Sequence, residues 1–421
     1  MSILHLRKDL SLWITGALIA LLAPAAQAGS TADHSKFIEL QAPFSSGPEV
    51  TRACLKCHTE AATQIHQTRH WTWDYLNQAN SQQLGKRNIL NNFCITPQSN
   101  YAYCTACHIG YGWEDESFDF SSQENVDCLV CHDTSGNYFK SSDNAGRPLE
   151  GINLTEIAQS VGKTSRDTCG ACHFFGGGGN GVKHGDLDDS LAAPELELDV
   201  HMDALGEDFT CATCHESRDH DIAGSRYAPE ATENEGYHLY KRDYNREDKA
   251  HCRACHGGEP HKRANASRLN QHAIRIACQS CHIPEIARGG VATRMSWDWS
   301  TAGQLDEQGE PLEKIVNGNL VYHGKKGSFS YAENIAPEYK WFNGSVSYQL
   351  LNEKIAVDAQ GYVPINRFEG SARDGISRIW PVKVFRGIQP YDPVLQTLLV
   401  QHTTGHDESS YWEYFIWAVP G

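Results

Sequence analysis

Apolar positions along this chain fall into three patterns. The first is a compact run, Leu12 to Leu22, preceded by Arg7 and Lys8 and followed by Ala26-Gln27-Ala28. A charged start, a short apolar stretch and a small-residue cleavage site predict a secretion signal over residues 1–28, with Gly29 as the mature N-terminus. The run is too short for a transmembrane anchor, and nothing after residue 29 is long and apolar enough to span a membrane. The second pattern fills residues 29–289, where short amphipathic stretches are separated by Gly, Ser, Asn and Asp. It predicts short helices joined by irregular loops. One helix starts near Glu49 after Ser45-Ser46-Gly47-Pro48, and another covers Glu60 to Asn77, with His66 and His70 four apart on one face and Trp71 and Trp73 following. The third occupies residues 290–421. Here Leu320-Val321-Tyr322, Gly327-Ser328-Phe329-Ser330-Tyr331 and Ser345-Val346-Ser347-Tyr348 alternate, with Gly and Asn at the turns. Short strands and irregular loop wrapped over a core both fit this pattern.

Cysteine spacing explains the middle region. Seven copies of Cys-x-x-Cys-His occur: Cys54/Cys57/His58, Cys104/Cys107/His108, Cys128/Cys131/His132, Cys169/Cys172/His173, Cys211/Cys214/His215, Cys252/Cys255/His256 and Cys278/Cys281/His282. They use fourteen of the fifteen cysteines. Two thiols about one helical turn apart capture the two vinyl groups of a haem as thioethers, and the adjoining histidine falls under the iron as proximal ligand. Zinc or a redox disulfide would be a fair reading of one isolated Cys-x-x-Cys. Seven copies in an exported chain point to haem c. The fold expected is mainly α with much irregular loop, a core packed with haem, and some short strands in the C-terminal third.

Charge narrows the partners. The formal net charge is -16, or -17 once the signal is removed. Such a balance argues against nucleic acid and against an anionic membrane surface, and an anionic substrate would need a local patch of positive charge. Thirteen histidines lie outside the motifs and the signal: His34, His66, His70, His184, His201, His220, His238, His251, His261, His272, His323, His402 and His406. They suffice to close every iron with a second imidazole. His70, His184, His201, His220 and His272 are selected as distal ligands, and His323, His402 and His406 could reach back from the C-terminal region. Motif starts are 50, 24, 41, 42, 41 and 26 residues apart, and the two short gaps suggest packed haem pairs.

Two residues fall outside this count. Phe174 to Asp186 is a glycine-rich loop that matches G-x-G-x-x-G at Gly176, Gly178 and Gly181, but without a preceding strand it is no nucleotide site. It can press backbone against a haem edge and hold Lys183 and His184 in place. From the residues alone, a surface Lys183 with His184 as the ligand is favoured over a buried, deprotonated Lys183 binding iron as a weaker and more displaceable ligand. The unpaired Cys94 reads either as a buried inert cysteine or as a thiol beside the second haem.

Taken together, these stretches resemble the octahaem tetrathionate reductase family of c-type cytochromes. The resemblance is carried by Gly47-Pro48-Glu49-Val50-Thr51, His70-Trp71-Thr72-Trp73, Asn91-Asn92-Phe93-Cys94, His108-Ile109-Gly110-Tyr111-Gly112-Trp113, the glycine loop through Lys183-His184-Gly185-Asp186, Cys281-His282-Ile283-Pro284-Glu285 and Pro381-Val382-Lys383-Val384. It implies a periplasmic reductase in which the second haem, held by Cys104, Cys107 and His108, has Lys183 as its distal ligand, with Cys94 an active-site cysteine and the other haems bis-histidine. Implied substrates are tetrathionate, nitrite and hydroxylamine, with electrons from a periplasmic or quinol-linked donor. No motif here is the Cys-x-x-Cys-Lys of pentahaem nitrite reductases. The family carries eight haems, and its eighth motif lies near the C-terminus, so the ending at Gly421 reads as a truncation or frameshift.

Overall fold

The computed structural model describes residues 32–90, 94–175, 179–182, 187–227, 251–263, 266–405 and 407–415. Each haem motif forms one helical turn or ends one. Gly47–Cys54 leads into the first, with Pro48 in its opening turn, where a missing N–H costs nothing. Arg166–His173 carries the fourth, started by a capping box in which Ser165 and Thr168 satisfy each other's backbone. The others sit on Thr105–Cys107, Leu129–His132, Cys211–Cys214, Arg253–His256 and Cys278–His282. One face of the first helix packs Val50 and Ala53 against Leu40, Leu129, Leu154 and Ile157. Thr51 on the same helix donates to the Val126 carbonyl at 2.6 Å, tying the first motif to the third.

The helix predicted over Glu60 to Asn77 is broken. Two short helices, Ala61–Ile65 and Arg69–Thr72, are followed by a hairpin of Tyr75–Asn77 with Gln82–Leu84. The break falls at buried Thr68, which is extended and donates its hydroxyl to the Ile65 carbonyl at 2.8 Å. The second helix stops where Trp73 turns left-handed, at φ 49°. A β-branched residue bonding back to the preceding turn competes with helix continuation. The break sends His66 and His70 to different places.

Strands build the C-terminal third. A five-stranded sheet runs in the order Arg386–Ile388, Thr293–Asp298, Gly327–Ala332, Asn319–His323, Glu313–Val316, antiparallel except for its first pair. Two further ribbons pair Glu338–Phe342 with Arg378–Val382 and Val346–Tyr348 with Asn366–Phe368. The ladder between Thr293–Asp298 and Gly327–Ala332 slips between Arg294 and Ser296. Such a bulge re-aims side chains, and here it leaves Thr293 and Arg294 both buried in succession. The sheet is stitched to the haem-motif region through side-chain amides. Asn77 donates to the Val346 carbonyl at 2.9 Å, and Asn100 donates to Gln401 while accepting from the Thr403 and Thr404 amides. No helix among the described residues is long and apolar enough to cross a membrane.

Candidate haem sites and a cationic cluster beside the second motif

Five of the seven motif histidines face a second imidazole. Ring centres are 6.4 Å apart for His34 and His58, 6.4 Å for His132 and His220, 6.0 Å for His70 and His173, 6.1 Å for His201 and His256, and 6.2 Å for His261 and His282. One metal between two imidazoles requires about 6 Å, from two metal–nitrogen bonds of about 2.0 Å and half a ring on each side. Hydrogen bonds orient several of these rings. Nδ1 of His132 meets the Gly162 carbonyl at 2.8 Å, and Nδ1 of His220 meets Gln64 Oε1 at 2.8 Å. Nδ1 of His261 meets Asn270 Oδ1 at 2.9 Å; outside the five pairs, Nδ1 of His215 meets the Ala223 carbonyl at 2.9 Å. A donor role at Nδ1 leaves Nε2 as the ligating nitrogen.

No disulfide joins any of the fifteen cysteines, and among the described residues no cluster of three or more His, Cys, Asp or Glu is placed to hold a bare metal ion. Cysteines of different motifs also lie side by side: Cys54 with Cys128, Cys107 with Cys172, and Cys169 with Cys211. Groups attached at these cysteines lie side by side.

The polypeptide does not enclose the motif cysteines equally. Cys57 of the first motif and Cys255 of the sixth are exposed thiols, as are Cys214, Cys252 and Cys281, whereas Cys54, Cys104, Cys107, Cys128, Cys131, Cys169, Cys172, Cys211 and Cys278 are half-buried. The reason lies in the local fold. Cys57 falls beyond the end of Gly47–Cys54, in a turn where its amide bonds the Cys54 carbonyl at 3.1 Å, so it has left the helix face that packs on Leu40 and Leu129. Cys255 lies on Arg253–His256, a single turn that buries none of its residues. The turns Cys211–Cys214 and Cys278–His282 likewise bury none of theirs. Cys57 and Cys255 thus keep the spacing for thioether attachment but sit at the edge of the protein core, outside the thiol contacts that join neighbouring motifs.

Of the five distal positions chosen from sequence, His70, His201 and His220 stand opposite motif histidines. His272 ends the Ala266–His272 helix, exposed and with no imidazole opposite it among the described residues. His184, like Lys183, His238 and His406, lies outside the described residues. His34 and His261 carry no distinction in the sequence, since no regular spacing links either to its partner motif. His66 instead stacks on Trp71 at 4.7 Å. His323 accepts from the Lys325 amide and meets Glu313 at 3.4 Å. His402 spends both ring nitrogens, on the Ser99 carbonyl and on Asp407 at 2.9 Å.

The second motif differs from the five with facing rings. His108 is wholly buried in an aromatic box, its ring 4.9 Å from Trp113, 5.0 Å from Trp71 and 5.4 Å from Trp73. No imidazole faces it at coordinating distance among the described residues. Nε2 meets the Trp71 carbonyl at 2.7 Å, and Nδ1 is buried without a hydrogen-bond partner among the described residues. Burial drives the His108 pKa down to about 3, so the ring is neutral, the form that binds metals.

Beside this motif lies Cys94, 7% exposed, packed with Ile95, Trp297, Trp299, Phe329, Tyr411 and Trp412, and against Cys104 of the motif itself. Burial pushes its thiol pKa up, opposed by the positive charges of Lys326, Arg294 and Lys86. Each cation rests on an aromatic face: Lys86 over Trp73 at 4.2 Å, Arg294 over Phe329 at 4.0 Å and Lys326 over Trp412 at 5.0 Å. Lys86 also donates to the Cys104 carbonyl at 3.4 Å. One residue of the glycine loop is anchored here too. Gly181 accepts from the Arg294 amide at 3.1 Å and from the Thr293 hydroxyl at 2.7 Å, two residues before Lys183. None of these cations stands out in the sequence, where their positions, at 86, 294 and 326, share no motif.

Comparison with known proteins gives a consistent picture. Residues 53–133 match the family described as Cytochrome c554 and c-prime, and residues 294–420 the family described as Cytochrome c bacterial. The crystal structure of an octahaem cytochrome c from Shewanella oneidensis superposes with a TM-score of 0.77 at 38% identity, covering 92% of this chain and 81% of that one. An uncharacterised protein of Archaeoglobus fulgidus is 26% identical over 257 residues, 48% of this chain and 84% of its own length.

Proposed function

Because this chain belongs to the octahaem c-type cytochromes, with covalently bound haem c and a redox role, we propose that it is a periplasmic reductase whose substrate site is at its second motif. Tetrathionate is the leading substrate, with nitrite and hydroxylamine as further ones. The single observation that carries this reading is the contrast between the five motif histidines that face a second ring and His108, which among the described residues faces none and which, unlike His215, lies fully buried in an aromatic box, on the motif against which Cys94 packs. Two imidazoles close an iron for electron transfer, whereas a site without the second can admit another ligand. Haem c, when bound, stores and relays single electrons.

The protein's residues prepare that site in three ways. The aromatic box around His108 fixes the proximal ring and keeps it dry, which strengthens electrostatics nearby. Gly181, two residues before Lys183 in the chain, is tied by its carbonyl to Arg294 and Thr293, and Lys183 is proposed as the displaceable partner on the distal side. Cys94, whose thiol burial keeps protonated, would donate a proton to a bound substrate and would not attack as a thiolate. Cleaving tetrathionate's central sulfur–sulfur bond takes two electrons and gives two thiosulfates without net proton uptake. Nitrite and hydroxylamine need protons as well.

A second reading, a pure electron carrier, is favoured by the five facing histidine pairs and the touching motifs. Turnover of tetrathionate, nitrite or hydroxylamine by the haem-loaded protein with a reduced dye separates the two. A wholly low-spin spectrum unchanged by any substrate, with no turnover, would establish the carrier.

A further inference from the structure

We propose that Arg294, Lys326 and Lys86 form an oxyanion-binding site beside the second motif, selecting oxyanions of sulfur and nitrogen over uncharged substrates. The inference deepens the reductase reading and rests on it for the identity of the substrate.

In a chain of net charge -16, three cations converge on one thiol, and among the described residues none of them makes an ion pair. Arg294 is 3% exposed. Its Nε and Nη2 both donate to the Tyr331 hydroxyl, at 3.0 and 2.7 Å, while Nη1 is buried with no hydrogen-bond partner among the described residues. A guanidinium buried without a carboxylate is costly and is retained where a ligand completes it. The strand bulge at Arg294 turns this side chain inward at that place. Lys326 is desolvated and repelled by Arg294, with Cys94 among the groups that offset this. Lys86 joins the group to Cys104. Aromatic faces hold the cations in position without neutralising them, so their charge stays available to an incoming anion. Planar or tetrahedral oxyanions suit the paired donors of arginine, whereas hydroxylamine, uncharged at neutral pH, gains nothing from them.

The test is equilibrium dialysis of radiolabelled thiosulfate against the oxidised, haem-loaded protein at low ionic strength, together with steady-state kinetics. Wild type is expected to bind about one thiosulfate, more weakly as salt rises. Arg294→Gln and Lys326→Met are each expected to weaken binding tenfold or more, the scale of one lost hydrogen bond to a charged group, and Arg294→Lys to weaken it by less than Arg294→Gln. In kinetics, the ratio of kcat/KM for tetrathionate to that for hydroxylamine should fall by the same factor. Should either variant lose haem or native absorbance, Lys86→Met takes its place, with the same loss expected. Thiosulfate binding within threefold of wild type in the charge-removing variants overturns the proposal. If wild type reduces none of the substrates, the reductase reading falls, while the dialysis still decides the anion site.

Discussion

Asp127 and Lys140 form a buried pair between the second and third motifs, and breaking it gives a quantitative test of how this region is held. The Asp127 side chain is fully buried and that of Lys140 is 8% exposed, with 3.2 Å between carboxylate and ammonium. Asp127 also accepts from Tyr111 at 2.9 Å, Tyr138 at 2.8 Å and the Val130 amide at 3.0 Å. Lys140 donates to the carbonyls of His108 and Gly110, so the pair fixes the backbone of the proximal histidine. Removing one partner of a buried pair costs about 3–5 kcal/mol, because the other charge stays desolvated. Lys140→Met should reach the upper half of that range, leaving the carboxylate with neutral donors only. Asp127→Asn should fall near about 3 kcal/mol, since the carbonyls of His108 and Gly110 still solvate the ammonium. The double variant should recover at least about 2 kcal/mol relative to the sum of the singles. Urea unfolding of the haem-loaded protein, followed by far-UV circular dichroism, measures all three. Single-variant losses that add within about 0.5 kcal/mol would refute the coupling.

Other consequences follow from the same geometry. Ring planes are 21° apart in His34/His58 and 13° in His261/His282 but 80° in His132/His220, so electron paramagnetic resonance of the oxidised protein should combine rhombic low-spin signals with a large-gmax signal. His220→Ala should weaken the latter, to which the crossed pairs His70/His173 at 66° and His201/His256 at 60° also contribute, and leave the former. A Cβ at Gly47 would lie 2.4 Å from the Tyr111 ring, so Gly47→Ala should destabilise by about 1–3 kcal/mol, read by the same unfolding assay. His402 and Asp407 clasp the C-terminal segment to Ser99. Burial lowers the His402 pKa, but the Asp407 carboxylate and Ser99 carbonyl outweigh it and raise the value above its ordinary 6.5, while contacts with Ser409 and His402 lower that of Asp407 below 3.8. The raised value means stability present below pH 6.5 and lost as pH climbs through the folded pKa; the depressed one means stability present above pH 3.8 and lost as pH falls below it. Hydrogen exchange at 402–412 should therefore be slowest, after correction for intrinsic rates, between those limits and faster above neutrality.

Much of the haem framework was legible because its signal is local. Cys-x-x-Cys-His packs two thiols and a ligand into one helical turn, so each motif announces itself without its neighbours. How deeply each motif sits is not local, and the spacing that marks Cys57 and Cys255 says nothing of their exposure. The alternating stretches at 320–322, 327–331 and 345–348 were equally local, and they do form strands. Distal partners were not legible in this way. His34 meets a motif 24 residues downstream, whereas His220 returns 88 residues to His132, and only the folded loops set those pairings. The helix expected over 60–77 does not form as one piece, because Thr68 and Trp73 take non-helical backbone inside an otherwise sound periodicity. The cations around Cys94 were invisible for a related reason: each is ordinary in its own stretch, and their convergence depends on a strand bulge and on the sheet's return to the second motif.

The claim that the second motif is the place of reduction is tested most directly by replacing Lys183 with alanine and assaying tetrathionate, nitrite and hydroxylamine reduction side by side with wild type. The account predicts a loss of at least about tenfold in kcat/KM for tetrathionate, about 1.4 kcal/mol of transition-state stabilisation, with unchanged haem content. Unchanged rates with all three substrates would contradict it.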